Sequence, residues 1–232
     1  MLLRASFLCL EKSVSAIFNF IFPPQCIICG TKNKNYICDR CDKIIKKYES
    51  NQFLPEFEDN NKCRSYDKLY YLFRYEKMIR KIMINYKFYS KPYICHFFAF
   101  KILNNKKLSQ ILKKYDYIVP VPMSKTKEKI RGYNQTSLVT EILSNALKIK
   151  HNTNLKKTNN ALTQSKLNKS DRKANIAGAF YIKEKNCFKN KRVILLDDIY
   201  TTGNTIEECA RLIKNNGASE IMVIILARDY ME

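Results

Sequence analysis

Val193-Ile194-Leu195-Leu196-Asp197-Asp198-Ile199-Tyr200-Thr201-Thr202-Gly203-Asn204-Thr205 carries a buried-looking apolar run into two adjacent carboxylates, then a small hydroxyl-rich turn, then a helix. An apolar run without alternation predicts a central parallel strand over 192–196, covered on both faces. Loops at the carboxyl ends of such strands are where parallel sheets bind ligands. Backbone N–H groups and threonine hydroxyls at a helix amino terminus suit a phosphate. The turn lacks the Gly-Lys-Ser/Thr ending of a Walker A loop. Two neighbouring carboxylates repel a phosphate, so they must face something else, a sugar diol or a Mg²⁺ ion. A molecule with a 5-phosphate and vicinal hydroxyls fits both halves of the stretch. The competing reading is an acidic loop that only caps the following helix, through Asn204 or Thr205.

Outward from this stretch the chain alternates strands and helices. Apolar spacing predicts a strand over 68–75, a helix over 76–86 and a longer helix over 92–114. Tyr117-Ile118-Val119 reads as a short buried strand ending at Pro120, followed by a helix over 135–148. Residues 156–177 are polar, rich in Asn and Lys, and predict a mobile segment. Residues 205–215 predict a helix closed by Gly217, and 221–226 a last buried strand. Alternation of this kind argues for an α/β fold, a parallel sheet with helices on both faces. The five cysteines Cys9, Cys63, Cys95, Cys187 and Cys209 share no ligand spacing and read as small buried apolar residues.

With 46% hydrophobic and 27% charged residues over 232 positions, the chain is globular rather than disordered or low-complexity. No apolar run reaches the ~20 residues that span a bilayer. The formal net charge is +21, which attracts polyanions: nucleic acid, nucleotides, phosphates, anionic lipid. Lysine outnumbers arginine by 32 to 10, as an AT-rich coding bias also gives, but such a bias does not explain the scarcity of acids. Residues 1–24 are apolar around Arg4, Glu11 and Lys12, without a cleavage site for a secretory signal. They predict an amphipathic helix ended by Pro23-Pro24, with peripheral membrane contact as the sharper alternative.

Cys26-Ile27-Ile28-Cys29 and Cys38-Asp39-Arg40-Cys41 form two Cys-x-x-Cys pairs separated by eight residues. Such pairs let four thiolates converge on zinc in a tetrahedron, and four ligands leave no open position, so the site is structural. The odd cysteine count and the lack of a signal point to a reducing, cytoplasmic setting and against disulfides. A redox Cys-x-x-Cys comes singly, on a βα unit. The expected organisation is an amphipathic helix over 1–24, a four-cysteine zinc module over 25–60, and an α/β domain over 61–232.

The stretch around Asp197 resembles the phosphoribosyl-pyrophosphate (PRPP) motif of type I phosphoribosyltransferases. The chain as a whole resembles the ComF family, in which a zinc knuckle precedes a type I phosphoribosyltransferase-like domain. The matching residues run along nearly the whole chain: Pro23-Pro24-Gln25-Cys26 with the knuckle; Tyr75, Arg80, Lys87 and Phe88; Val119-Pro120-Val121-Pro122 with Arg131-Gly132-Tyr133-Asn134-Gln135; Gln164, Leu167, Arg172, Asn175 and Gly178-Ala179-Phe180; and Ala227-Arg228. The resemblance implies that Asp197 and Asp198 hold the ribose hydroxyls and that Thr201, Thr202, Gly203, Asn204 and Thr205 hold the 5-phosphate. It places Pro120, Val121 and Arg131 on the pyrophosphate side, and Lys166, Lys169 and Arg172 on a mobile hood, with Mg²⁺ accompanying PRPP. The chain departs from the family pattern at Tyr133, usually Phe; at Lys156 and Lys157, where arginine is usual; and at Ala161, usually Thr. Lysine does not make the bidentate fork that arginine offers a phosphate.

Family members with the zinc knuckle are associated with natural DNA uptake and the handling of incoming single-stranded DNA on the cytoplasmic side. The basic charge and the tyrosines among lysines (Tyr70, Tyr71, Tyr75, Tyr86, Tyr89, Tyr93) are compatible with that, although most of those rings are expected in the core. The resemblance therefore implies a PRPP-binding protein of natural transformation, with single-stranded DNA and the uptake machinery as partners. The alternative is an active phosphoribosyltransferase that releases pyrophosphate, with Asp197, Asp198 and Arg131 in the catalytic site. No acceptor signature stands out.

Overall fold

The computed structural model describes residues 25–33, 36–50, 64–158 and 178–230. They form two compact units, divided between Lys47 and Tyr48. The sequence expectations for residues 1–24, Cys9, Cys63 and the hood residues from Ala161 to Asn175 lie outside the described residues.

In the smaller unit, tight backbone turns gather four cysteines. Gly30 sits at φ +74 and its N–H bonds back to the Cys26 carbonyl at 2.9 Å, while Cys26 N–H bonds Thr31 O at 2.8 Å. Cys38 then precedes helix α1 (Asp39–Ile45), which buries Cys41 and Ile45.

In the larger unit the chain runs β1 (Lys68–Arg74), α2 (Lys77–Phe88), α3 (Ile94–Asn104), α4 (Lys106–Leu112), β2 (Tyr117–Pro120), α5 (Lys125–Arg131) and α6 (Gln135–Leu147). It continues as β3 (Lys150–His151), β4 (Leu155–Lys157), β5 (Phe180–Ile182), β6 (Arg192–Tyr200), α7 (Asn204–Asn215) and β7 (Glu220–Arg228). Five strands pair in parallel in the order β1-β7-β6-β2-β3. β4 and β5 form a separate antiparallel ribbon.

The apolar runs explain the layering. Side chains alternate across a strand, so one set of residues faces each helix layer. Leu69, Tyr71, Val119, Val193, Leu195, Ile221, Val223 and Ile225 share one core with Ile206, Cys209, Ala210 and Ile213 of α7. The intervening Ile118, Ile194, Leu196, Met222, Ile224 and Leu226 are equally buried, and α6 packs on β2 and β6. The sheet is covered on both faces, as the sequence predicts.

Three expectations need correction. The helix expected over 92–114 is two, α3 and α4. Asn105 stops the first and caps the second, its side-chain oxygen accepting from Leu108 N–H at 3.0 Å. The strand expected to end at Leu196 continues to Tyr200, so the two carboxylates stand within β6 rather than in a loop. Cys187 is half-buried rather than buried, unlike Cys95 and Cys209.

The amino ends of the strands are tied by charge. The Glu220 carboxylate accepts from Lys68 Nζ at 2.8 Å, Tyr115 Oη at 2.6 Å and Arg192 Nε at 2.8 Å, which joins β1, β7 and β6. Although partial burial pushes the other way, these donors hold its pKa down at about 2 instead of 4.5. A depressed carboxylate contributes stability that is present above its unfolded pKa and is lost as pH falls through the folded value. Glu220→Gln should therefore lower the melting temperature at pH 7 by ~2–4 °C, for a loss of about 1 kcal/mol. The difference from the wild type should shrink on acidification from about pH 4.5 towards pH 2. A pH-independent difference in thermal melts would show that charge is not the cause.

Candidate sugar-phosphate site

The opposite end of the sheet concentrates unlike chemistry. Asp197 and Asp198 are half-buried neighbours at the carboxyl end of β6. Asp198 N–H donates to Asp197 Oδ1 at 2.8 Å. Lys87, near the end of α2, meets the Asp198 carboxylate at 2.8 Å, and each of the two side chains is only 18% exposed. Asp197 has no such bonded cation among the described residues. Burial, then the charge of Asp198, pushes its pKa up to about 7, against the opposing pull of Lys87 and Lys157. Lys157, on β4, is itself pulled down by burial and by the positive charge of Lys127, while the nearby Asp197 works the other way. Its ammonium lies 4.9 Å from the centre of the Phe180 ring, on the partner strand β5.

After Tyr200 the chain turns through exposed Thr201 and Thr202 into α7. The residue that precedes α7 is Gly203, at φ +78, and no side chain caps the helix among the described residues. Asn204 and Thr205 are already helical. The reading in which either merely caps α7 is therefore overturned, and the first N–H groups of the helix remain available to an anion. Glycine is required on two counts. Its φ is left-handed, and a Cβ here would lie 2.3 Å from the Tyr200 hydroxyl. That hydroxyl is held in place, accepting from Arg64 Nη1 at 2.8 Å.

The neighbouring wall comes from β2. Pro120 stands opposite Leu196 in the sheet, and Val121 N–H continues the pairing to Leu196 O at 2.9 Å. The Val121 carbonyl accepts from Asn134 Nδ2 at 3.3 Å and from Thr136 Oγ1 at 2.9 Å, which fixes the amino end of α6 against the strand. The run Arg131-Gly132-Tyr133-Asn134-Gln135 has a local reason at each position. Arg131 ends α5, Gly132 reverses the chain at φ +85, and Asn134 caps α6 by accepting from Thr136 N–H at 3.1 Å. The Tyr133 hydroxyl donates to the Tyr86 carbonyl of α2, and the Tyr86 hydroxyl returns a bond to Gln135 O at 2.8 Å. Tyr133 thus makes a bond that a phenylalanine at this position could not make.

Asp197, Asp198 and residues 201–205 are contiguous along one strand–turn–helix, with Pro120 and Val121 on the next strand. Arg131 lies 5.5 Å from the centre of the Phe88 ring, one residue beyond Lys87. Lys166, Lys169 and Arg172 lie outside the described residues. Two lysines not assigned to the site from the sequence act on the carboxylates, Lys87 by a direct ion pair with Asp198 and Lys157 through its charge on Asp197. The only signal for Lys87 was the Lys-Phe pair at the end of its helix. For Lys157 it was the Lys156-Lys157 pair at the start of the polar segment.

In the smaller unit the Sγ atoms of Cys26, Cys29, Cys38 and Cys41 all lie within 4.8 Å of one another, a set that could hold a metal ion. Cys29 is held down at about 6, chiefly by hydrogen bonding from Thr31. Four sulfur donors at this spacing fit a soft, tetrahedral ion.

The raised Asp197 makes a stability prediction whose sign can be worked out. Its unfolded carboxyl titrates near the ordinary 3.8 and its folded one at about 7. Between these values the folded state holds the extra proton, so stability falls as pH rises through that window and the full penalty applies above it. Asp197→Asn, uncharged at any pH, should raise the melting temperature at about pH 8, by ~2–4 °C for each kcal/mol relieved. It should change it little at about pH 4. Equal shifts at both pH values in thermal melts would refute the buried charge as the cause.

Residues 135–230 match the model of the phosphoribosyl transferase domain. Competence protein F of Haemophilus influenzae is 32% identical over 228 residues, which cover 91% of this chain and 98% of that protein. Competence protein ComFC of Bacillus subtilis is 29% identical over 63% of this chain and 58% of its own length. DNA utilization protein YhgH of Escherichia coli is 32% identical over 49% of each chain. Among the described residues no helix is long and apolar enough to cross a membrane. With a parallel sheet, a carboxylate pair ahead of an uncapped helix, and a relative matched almost end to end, the chain belongs to the competence protein F (ComF) family and carries a phosphoribosyl transferase domain.

Proposed function

We propose that this chain binds PRPP at the carboxyl end of β6 and serves DNA uptake or utilisation on the cytoplasmic side of the membrane, with single-stranded DNA as its macromolecular partner. The observation that carries the reading is the junction of opposite preferences. Two carboxylates are followed, a few residues after Asp198, by the uncapped amino end of α7. Ribose hydroxyls donate to Asp197 and Asp198. The 5-phosphate accepts from the N–H groups at the start of α7 and from the Thr201, Thr202 and Thr205 hydroxyls. Gly203 lets the backbone turn close under that phosphate. Lys87 orients Asp198, and Lys157 faces Asp197 from the ribbon. Arg131 and the hood residues Lys166, Lys169 and Arg172 supply positive charge for the pyrophosphate. Bound Mg²⁺ neutralises pyrophosphate charge. The relatives' names, competence and DNA utilization, support the DNA side of the reading.

Cys26, Cys29, Cys38 and Cys41 would hold zinc structurally, with every ligand position filled by the protein. The proposed organisation keeps a zinc module over 25–60 and a phosphoribosyltransferase-like domain over 61–232, although the two compact units divide between Lys47 and Tyr48. Residues 1–24 are an amphipathic segment suited to peripheral membrane contact.

A titration of the purified protein with PRPP and Mg²⁺ by calorimetry tests the sugar-phosphate site. The wild type should bind, and Asp197→Asn/Asp198→Asn should weaken binding by more than ~100-fold, because two charge-assisted hydrogen-bonding groups are lost. Equal affinity would remove the ligand assignment. Release of pyrophosphate only when a particular acceptor is added would favour the transferase alternative over binding alone.

The zinc assignment has its own measurement. Metal analysis of protein purified without added metal should find about one zinc per chain, as a closed site of four cysteines requires. Cys38→Ser should lose most of it. A metal-free wild type that melts at the same temperature would overturn a structural role.

A further inference from the structure

Phe88 is 70% exposed at the carboxyl end of α2, an unusual place for a large ring that does not belong to the core. It is not a loose ring. The preceding residue, Lys87, is bonded to Asp198. The residue before that, Tyr86, is fully buried and exchanges two hydrogen bonds with the 133–135 segment. The Tyr86 and Tyr133 rings also stack, with centres 5.8 Å apart. The same segment begins beside Arg131, whose guanidinium lies over the Phe88 ring at 5.5 Å. Two helix ends, those of α2 and α5, are thus pinned together by a tyrosine pair, and an aromatic ring and a guanidinium face solvent on top of them.

The helix that ends at Arg131 is mostly cationic, four cations against Glu128. α5 reads Lys125-Thr126-Lys127-Glu128-Lys129-Ile130-Arg131 and buries none of its residues. It therefore contributes cations to the surface and nothing to the core. Further exposed rings follow Phe88 in the chain, Tyr89 at 64% and Tyr93 at 43%. A ring with a guanidinium over it, at the end of a lysine-rich helix, suits a flat aromatic group attached to phosphates. In a duplex the bases hide their faces in the stack. An unpaired base offers one.

We propose that Phe88 and Arg131 form a stacking platform for an unpaired base of a single-stranded nucleic acid. The lysines of α5 attract the strand's backbone, and the platform lies one residue from the lysine that touches the candidate sugar-phosphate site. The proposal rests on the DNA reading given above and adds to it a place on the molecule.

The test uses the full chain and fluorescence anisotropy with three labelled probes: oligothymidine of about 16 nucleotides, an abasic strand of equal length and charge, and a duplex. Phe88→Ala should weaken oligothymidine binding by about 5- to 140-fold, the range for one stacked base. It should change abasic binding less than about twofold, because stacking and not charge is removed. Phe88→Trp should restore or exceed wild-type affinity for oligothymidine. A thermal melt of Phe88→Ala reports that the fold is intact. The platform is overturned if Phe88→Ala binds oligothymidine like the wild type, or loses the same factor on the abasic strand. It is also overturned if the wild type prefers the duplex. Wild-type protein that binds none of the probes would sink the DNA reading itself, a result distinct from a Phe88 that does not matter.

Discussion

Two carboxylates side by side at the end of a buried strand repel each other, and the site is organised around that repulsion. Asp198 is neutralised from outside the sheet by Lys87, a contact that reaches across 111 residues of sequence. Asp197 is left in a half-buried position with burial and a like charge both favouring its proton. The pair is thus not symmetric. One acid is fixed by an ion pair, and the other has its pKa raised by burial and by its neighbour's charge. A fold that wanted only stability would place apolar or amide side chains here. Repulsion retained at such a place is the physical ground for proposing a ligand that donates hydrogen bonds to the pair.

The sheet separates its tasks by polarity. At the amino ends of β1, β7 and β6, Glu220 gathers three donors and closes its own charge balance within the protein. At the carboxyl ends the balance is left open, with a strained acid pair, an uncapped helix and a glycine wedged under Tyr200. Strand direction decides this. In a parallel sheet all chain reversals into helices occur at one end, so backbone N–H groups at helix starts collect there. The same end receives the pinned loop of Tyr133, which gives α5 and α2 a fixed relation although α5 has no buried face of its own.

Much of this was legible in the chain. Apolar runs over 192–196 and 221–226 located the two central strands, because fully covered strands need no polar alternation. The carboxylate–threonine stretch pointed to the strand–turn–helix on which the proposed site is built. What the sequence concealed has physical causes. Asn105 has ordinary helical neighbours, and only its capping bond to Leu108 N–H splits one expected helix into two. α5 could not be read from periodicity because none of its side chains is buried. β4 and β5 are three residues each and exist by pairing with one another across residues far apart in sequence. The ion pair of Lys87 with Asp198 was hidden for the same reason. A tertiary contact between a helix end and a strand end leaves no spacing to detect. Tyr133 was visible as a departure, but not the bond that its hydroxyl makes.

Lys87 raises the question of whether a ligand must displace it. A carboxylate offers about four lone-pair directions. Lys87 meets both oxygens of Asp198 at 2.8 Å and uses one direction on each. The remaining directions are open to hydroxyl donors, so a diol can be accepted while the lysine stays. The lysine then orients the acid rather than competing for it. Its charge also offsets part of the repulsion that an approaching phosphate feels from the pair. By that argument the bridge is most useful when the site is filled, since an anionic ligand with hydroxyls needs the carboxylates as acceptors and needs their charge compensated. Asp197 has no cation bonded to it among the described residues, which leaves its proton as the adjustable element. A hydroxyl donor favours the ionised acid, and so ligand binding and loss of the Asp197 proton reinforce each other.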